Sequence, residues 1–469
     1  MSAPSRLRAF FAVTTPAVWV LLALALGAAG LIAARPGARS TGMSHWLFAK
    51  GHVAVYTPVF AKWNAEQPTE ATRIESLLID GPALERRMLS AFMSGTPVAD
   101  IVETERSMAC RAFTGPLEDV GFVDLTDLLK AEGLMDKINA PSFAPWTSRG
   151  RIFGLPHDVH PVMLAYRADL VEAAGIDLSK VETWAEFFQA MRPLMADGDG
   201  DGRPDRYLLN FWPNNRDLME LLLLQAGGGL FDADERVAIA TERNAFVLAN
   251  LATWCAGPGR VTVDAPDFTA AGNTLRLRGV VVAALMPDWL AGIWKLDMPD
   301  LGGKLRLMPL PAWEKGGRRT SVVGGTMLGI TKASKDFETA WALAKRLYLD
   351  PEVHAAFFKR TTIIPPFKSS WEHPAFAAPD PFFGGQPSGT LFISQAADVP
   401  MRPASPYNLP ALARVNEVLI ALAERAAREG ISDPEVLLPD ARARLAGAQQ
   451  RVEKMISRNV FLRETPPAR

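Results

Sequence analysis

Between residues 41 and 103 the spacing of apolar side chains switches repeatedly between two periods, and few folds accept that pattern. An apolar run at 46–48 gives way to a helical spacing over 53–67 and a second run at 74–79. A second helical spacing over 82–94, stopped by Gly95, leads to a third run at 100–103. Successive strand, helix, strand units of this kind call for a mostly parallel sheet with helices on both faces. Ligands of such sheets lie beyond the carboxyl ends of the strands, which places Phe48, His52 and Glu103 at a binding edge.

The chain is too long for one such sheet. Its 469 residues, 48% of them hydrophobic, can bury a large core and predict two lobes or more. A net charge of -1 argues against a nucleic-acid surface. Leu155-Pro156 opens an extended segment, 162–166 reads as a buried strand, and Asp169 can cap a helix that ends at Gly175. Thr183-Trp184-Ala185-Glu186 is a capping box ahead of Phe187, Phe188, Met191 and Leu194 at helical spacing. Apolar runs at 283–286, 307–311 and 321–330 predict further strands. Helices then dominate, over 337–349, from Asp350-Pro351, over 411–429 up to Gly430, and from Asp433-Pro434. In the last, Ala441, Leu445, Ala448, Val452 and Met455 recur at core-packing intervals. The segment 365–410, rich in Pro, Gly and aromatics, is expected to be irregular.

Arg6 and Arg8 precede an uncharged apolar run over 9–34, followed by Arg35 and Arg39. The run exceeds the roughly 7–15 residues of a signal-peptide core and reaches the roughly 20 that span a bilayer, so an uncleaved anchor is expected. The small residues Ala28, Ala29, Gly30, Ala33 and Ala34 keep a cleaved signal open. Either way the remainder is expected outside the cytoplasm, periplasmic if the anchor sits in the inner membrane. Cys110 and Cys255 are expected as two buried thiols.

Asp197-Gly198-Asp199-Gly200-Asp201-Gly202-Arg203-Pro204-Asp205 puts carboxylates at positions one, three, five and nine of an EF-hand-type loop. Gly202 falls at six, and the Arg203 carbonyl at seven. Four carboxylates so close repel one another unless a cation neutralises them, and a hard oxygen cage suits calcium. Position twelve is Leu208 where an EF-hand has a bidentate Glu, so the shell is incomplete and the expected role is structural. A solvated acidic turn is the alternative. His157 and His160, three apart in an extended segment, face differently and do not suggest a metal pair.

The string GLPHDVHPVMLAYRADLVEAAGI followed by TWAEF resembles the lobe-crossing region of family 1 extracellular solute-binding proteins, the sugar receptors of ABC importers. SHWLFAKGHVAVYTPVFAKWNAEQP, VVAALMPDWLAG and GGTMLGITKASKDFETAWALAKRLYLDPEV resemble the same family in the same order, so the likeness covers nearly all of the chain after residue 40. It implies an α/β, two-lobe periplasmic-binding-protein fold with hinge crossings, preceded by an N-terminal transmembrane or signal helix at 1–40. The N-lobe would comprise 41–154 and 311–331, and the C-lobe 155–310 and 332–460. A third crossing is expected near Thr331. The lipoprotein anchoring common in that family is excluded, because no cysteine precedes Cys110.

By match to that family the ligand-binding candidates are Phe48, His52, Glu103, Asp158 and Trp289, with Gly325 and Thr326 offering backbone. Trp212 and Trp371 are added on position and residue type, since sugars present CH faces that stack on aromatic rings. Trp184 is assigned to packing at the start of its helix. The resemblance implies a sugar ligand, ABC permease partners, and a separate ATPase, since no GxxxxGK[ST] loop occurs here. Two alternatives stay open. One is a glycan hydrolase or lyase using Glu103, Glu105 or Asp158; the other is a membrane-tethered sensor ectodomain.

Overall fold

The computed structural model describes residues 15–34 (side chains through Leu31), 42–198, 200 and 202–460. Helix α1, Pro16–Ala34, carries no charge, and leucines such as Leu21 and Leu31 are about two-thirds exposed or more, at 66% and 71%. Its 19 residues rise about 28 Å, just short of the roughly 30 Å hydrocarbon core of a bilayer. Among the described residues no helix is long and apolar enough to cross a membrane, so the expected span is not found there. The flanking arginines at 6, 8, 35 and 39 lie outside the described residues.

The alternating pattern after residue 41 folds as expected. Strand β1 (Met43–Leu47) is followed by helix α2 (Lys50–Glu66), strand β2 (Ile74–Leu78), helix α3 (Gly81–Ser94) and strand β3 (Ile101–Glu105). In α3 the residues Leu84, Met88 and Ala91 fall on one face and are buried. Pro82 sits in its first turn, and Gly95 closes it at φ 66, donating its amide to the Ala91 carbonyl. Strand β1 pairs in parallel with β2 and β3.

The first lobe's sheet also takes two short pieces from far along the chain. These are β4 (Leu155–Pro156) and, much later, the strand Thr326–Ile330, which pairs antiparallel with β3 and with β4. Residues 155–156 therefore belong to the N-lobe, and the first crossing is the segment 157–161. Beyond it, β5 (Val162–Arg167), β6 (Tyr207–Asn210), β7 (Thr262–Val263), β8 (Val281–Pro287) and β9 (Leu305–Pro309) build the C-lobe sheet in the order β9-β5-β8-β6-β7. Strand β8 is buried at every position, as its unbroken apolar run demands. The return strand Thr326–Ile330 is β10, so 310–325 form the second crossing.

The capping box is present in full. Thr183 Oγ1 accepts the Glu186 amide at 3.3 Å, the Glu186 carboxylate accepts the Thr183 amide at 3.1 Å, and helix α4 (Trp184–Met191) follows. Trp184 packs at 5.4 Å from Trp254, deep in the C-lobe core and away from any ligand surface. Helix α5 (Arg216–Gln225) lies in the same lobe. Its Glu220 forms a buried ion pair of 2.9 Å with Arg106, which follows β3 of the other lobe.

The third crossing falls later than the sequence suggests. Helix α6 (Phe337–Tyr348), expected in the C-lobe, carries Ala340, Leu343, Ala344 and Leu347 against Leu328 and Ile330 of β10 and so completes the N-lobe. Its apolar stripe has to cover a sheet face, and the nearest one is the strand that precedes it. Helix α7 (Pro351–Thr361) then bridges the lobes, with Val353 and Phe357 in the N-lobe core and Phe358 in a C-lobe cluster. The segment 365–410, expected to be irregular, is a succession of short helical turns such as Lys368–Glu372 and Ser388–Ser394 separated by loop. Helices α8 (Asn408–Glu429) and α9 (Leu438–Ile456) close the C-lobe, and Ala441, Leu445, Ala448 and Val452 are fully buried as the spacing predicts. Cys110 and Cys255 are free thiols.

Candidate functional site

A cavity of about 970 Å³ separates the two lobes. Its N-lobe wall is Phe48 at the end of β1 and the first turn of α2, from Lys50 to Val53. Leu78 and Glu105, at the ends of β2 and β3, extend that wall. All three strands thus present their carboxyl ends to the cleft, as parallel topology requires. The C-lobe wall is one helical face, Trp289, Gly292, Ile293, Leu296 and Asp297, on the helix Asp288–Asp297. The floor is made by the crossings, with His160, Gly324, Gly325 and Thr326, and α7 closes one end with Arg360 and Thr361.

Phe48, His52, Trp289, Gly325 and Thr326 therefore border the cleft, as the resemblance implies. The Trp289 ring is fixed by a 3.1 Å hydrogen bond from Nε1 to the Val323 carbonyl. His52 exposes little of its ring and is oriented by a 2.6 Å contact between Nδ1 and Glu103 Oε1. The expected backbone groups of Thr326 are already bonded, its amide to Asp158 at 3.0 Å and its carbonyl to the His157 amide at 2.9 Å.

Four expected residues lie elsewhere. Glu103 has no exposed surface; besides His52, its other oxygen accepts the hydroxyls of Tyr56 at 2.7 Å and Tyr348 at 2.9 Å. It binds β3 to α2 and α6 from behind the wall. Burial alone would raise its carboxyl, but the neighbouring His52, then His157 and His45, bring it down to about 2. Asp158 is also buried, in contact with His160 Nε2 at 3.0 Å. Against the cost of burial, His160 and His157 hold it well below the usual carboxylate range. Trp371 donates Nε1 to the Pro365 carbonyl at 2.8 Å within a C-lobe cluster, and the Trp212 carbonyl accepts the Asn215 amide at the start of α5. Neither borders the cleft.

The chemistry left on the walls is aromatic and aliphatic surface plus a few charges. Among the described residues Lys50 and Arg360 form no ion pair, and Glu105 Oε2 accepts the Ser107 amide at 2.8 Å. Of the carboxylates named for a hydrolase, Glu103 has both oxygens and Asp158 has Oδ2 bonded to protein donors behind the surface, whereas Glu105 borders the cleft. Sequence reasoning missed the rest of the Trp289 face, although a legible signal existed. Residues 292, 293, 296 and 297 stand three, four, seven and eight positions beyond Trp289.

In the acidic loop, Asp199 and Asp201 lie outside the described residues. Asp197 accepts the amides of Gly200 at 2.7 Å and Gly202 at 2.9 Å, and those glycines adopt φ 76 and 83 as the tight turn needs. Asp205 accepts the Gly198 amide at 3.0 Å. Among the described residues no group of three metal-ligating side chains occurs.

A family model described as bacterial extracellular solute-binding protein matches residues 50–352. An arabinooligosaccharide-binding protein of Halalkalibacterium halodurans is 23% identical over 346 residues, 73% of this chain and 75% of that protein. One of Bacillus subtilis is 24% identical over 326 residues, 68% and 72% of the two chains. Among solved structures, the sugar-binding protein MalE of Xanthomonas citri superposes with a TM-score of 0.70 at 20% identity, covering 89% of this chain and 99% of that one. The ABC transporter associated binding protein of B. animalis subsp. lactis in complex with beta-1,6-galactobiose gives 0.67 at 17% identity, with 89% and 98% covered. The fold of both is the two-lobe arrangement seen here.

Proposed function

Since this chain belongs to the bacterial extracellular solute-binding proteins, we propose that it captures an oligosaccharide between its lobes and delivers it to an ABC permease driven by a separate ATPase. The carrying observation is the cleft. Its volume of about 970 Å³ is at the top of the roughly 300–1,000 Å³ range of ligand sites, more room than one sugar unit fills. Phe48 and Trp289, one on each lobe, supply rings for the CH faces of sugar units. The names of the two curated relatives point to arabino-oligosaccharides as the first class to test.

The test is calorimetric titration of the purified chain with arabinotriose and with arabinose, followed by chromatography of the recovered sugar. The expected result is saturable binding of the trisaccharide, much weaker binding of the monosaccharide, and complete recovery of intact ligand. Shortened products would instead establish the glycan-active enzyme.

In this reading the protein works outside the cytoplasm, with the uncharged, exposed α1 as its export or anchoring helix. The 197–205 loop is its calcium site. Support comes from the alternate carboxylates and from Gly200 and Gly202, whose left-handed backbone makes the tight turn that an EF-hand-type loop needs. Calcium at about 100 times its dissociation constant would add about 2.7 kcal/mol to stability. Chelation is therefore expected to lower the melting temperature by a few degrees, and an unchanged melting curve overturns the assignment.

A further inference from the structure

His160, on the first crossing, is held between two carboxylates. Nδ1 lies 2.7 Å from Asp288 Oδ1 and Nε2 lies 3.0 Å from Asp158 Oδ2, all three side chains being buried. An imidazole that faces an ionised acceptor at each nitrogen carries both protons. Burial works against that charge, but the two carboxylates push the ring up to about 10. Each carboxylate is bonded onward. Asp158 Oδ2 accepts the Thr326 amide at 3.0 Å, where the second crossing ends. Asp288 Oδ2 accepts the Ile364 amide at 2.7 Å on the third, and Oδ1 accepts the amide of Trp289 at 2.7 Å.

Three crossings and the cleft tryptophan thus converge on one cation. The backbone is shaped for it. His160 adopts φ 54, a left-handed conformation that a residue with a Cβ seldom takes. Gly324 stands alongside at φ 90, where a Cβ would come within 3.0 Å of Trp289 Nε1 and 3.1 Å of His160 Cδ2.

We propose that His160 is a positioning residue of the ligand cleft: clamped between Asp158 and Asp288, it fastens the three lobe crossings to one another and sets the plane in which Trp289 meets the ligand. This rests on the binding function proposed above, and it adds a residue whose effect on the ligand passes through Trp289 and the hinge.

Two readouts on the full chain test it, the intrinsic tryptophan emission without ligand and calorimetric binding of arabinotriose. In His160→Gln, which keeps hydrogen-bonding capacity but loses the charge, the emission maximum is expected to shift. The same substitution made in a Trp289→Phe background is expected to produce no shift. Arabinotriose affinity should fall about tenfold or more, the effect of losing charge-assisted hydrogen bonds, while thermal unfolding stays cooperative. Should His160→Gln fail to fold, Asp158→Asn removes one arm of the clamp and is expected to show the same Trp289-dependent shift. If arabinotriose does not bind the unaltered protein, the ligand assignment is wrong, and the emission comparison alone decides the role of His160. An emission spectrum unchanged by substitution at His160, or a shift that persists without Trp289, overturns the proposal.

Discussion

Trp289→Ala is expected to weaken oligosaccharide binding by roughly 30- to 100-fold, about 2–3 kcal/mol, in a titration against the unaltered protein. The ring borders the cleft directly, is locked by its bond to Val323, and packs on its far side against the clusters of both core layers of the C-lobe. The loss therefore combines ring-to-sugar contact with the order that the ring imposes on its wall. Trp289→Phe retains an aromatic face but not the Nε1 donor, so it should fall between the two. Equal affinities for the alanine variant and the parent would remove Trp289 from the site.

Glu103→Ala is expected to cost about 3–5 kcal/mol of stability, because it leaves His52, Tyr56 and Tyr348 without their shared acceptor inside the N-lobe. The acid limb of the stability curve reports the same group. Its folded value of about 2 lies below the ordinary 4.5, so its contribution is complete above about pH 4.5 and disappears as the pH falls towards 2. Glu103→Gln should flatten chemical unfolding free energy over that interval while leaving the hydroxyl partners an acceptor. An acid transition identical to that of the parent would show that Glu103 does not govern it.

These two residues also mark how far the sequence could be read. Alternation from Met43 to Glu105 was legible because amphipathic period depends on local chain order alone. So was the Thr183 box, since a cap and its partner are three residues apart. The family resemblance pointed to Phe48 and Trp289, which border the cleft, while position and residue type alone pointed to Trp212 and Trp371, which do not. Neither signal could separate Glu103 from a wall carboxylate, because what conceals Glu103 is Tyr348, contributed 245 positions later. The third crossing was displaced for a related reason. The stripe of α6 declares that a sheet must cover it without declaring which one, and β10 decided the matter by proximity. Arg360 and Thr361 reach the cleft only through the path of α7, for which no local signal exists.

That interleaving governs how the molecule can be made. The N-lobe begins with Met43 yet lacks its inner layer until Phe357 has been synthesised, and the C-lobe waits for Val452 to seal its own. At roughly 5–20 residues per second, the nascent polypeptide passes tens of seconds unable to finish either half. Neither lobe can therefore mature as a unit on its own, and the two halves must complete their cores together once nearly the whole chain has been made.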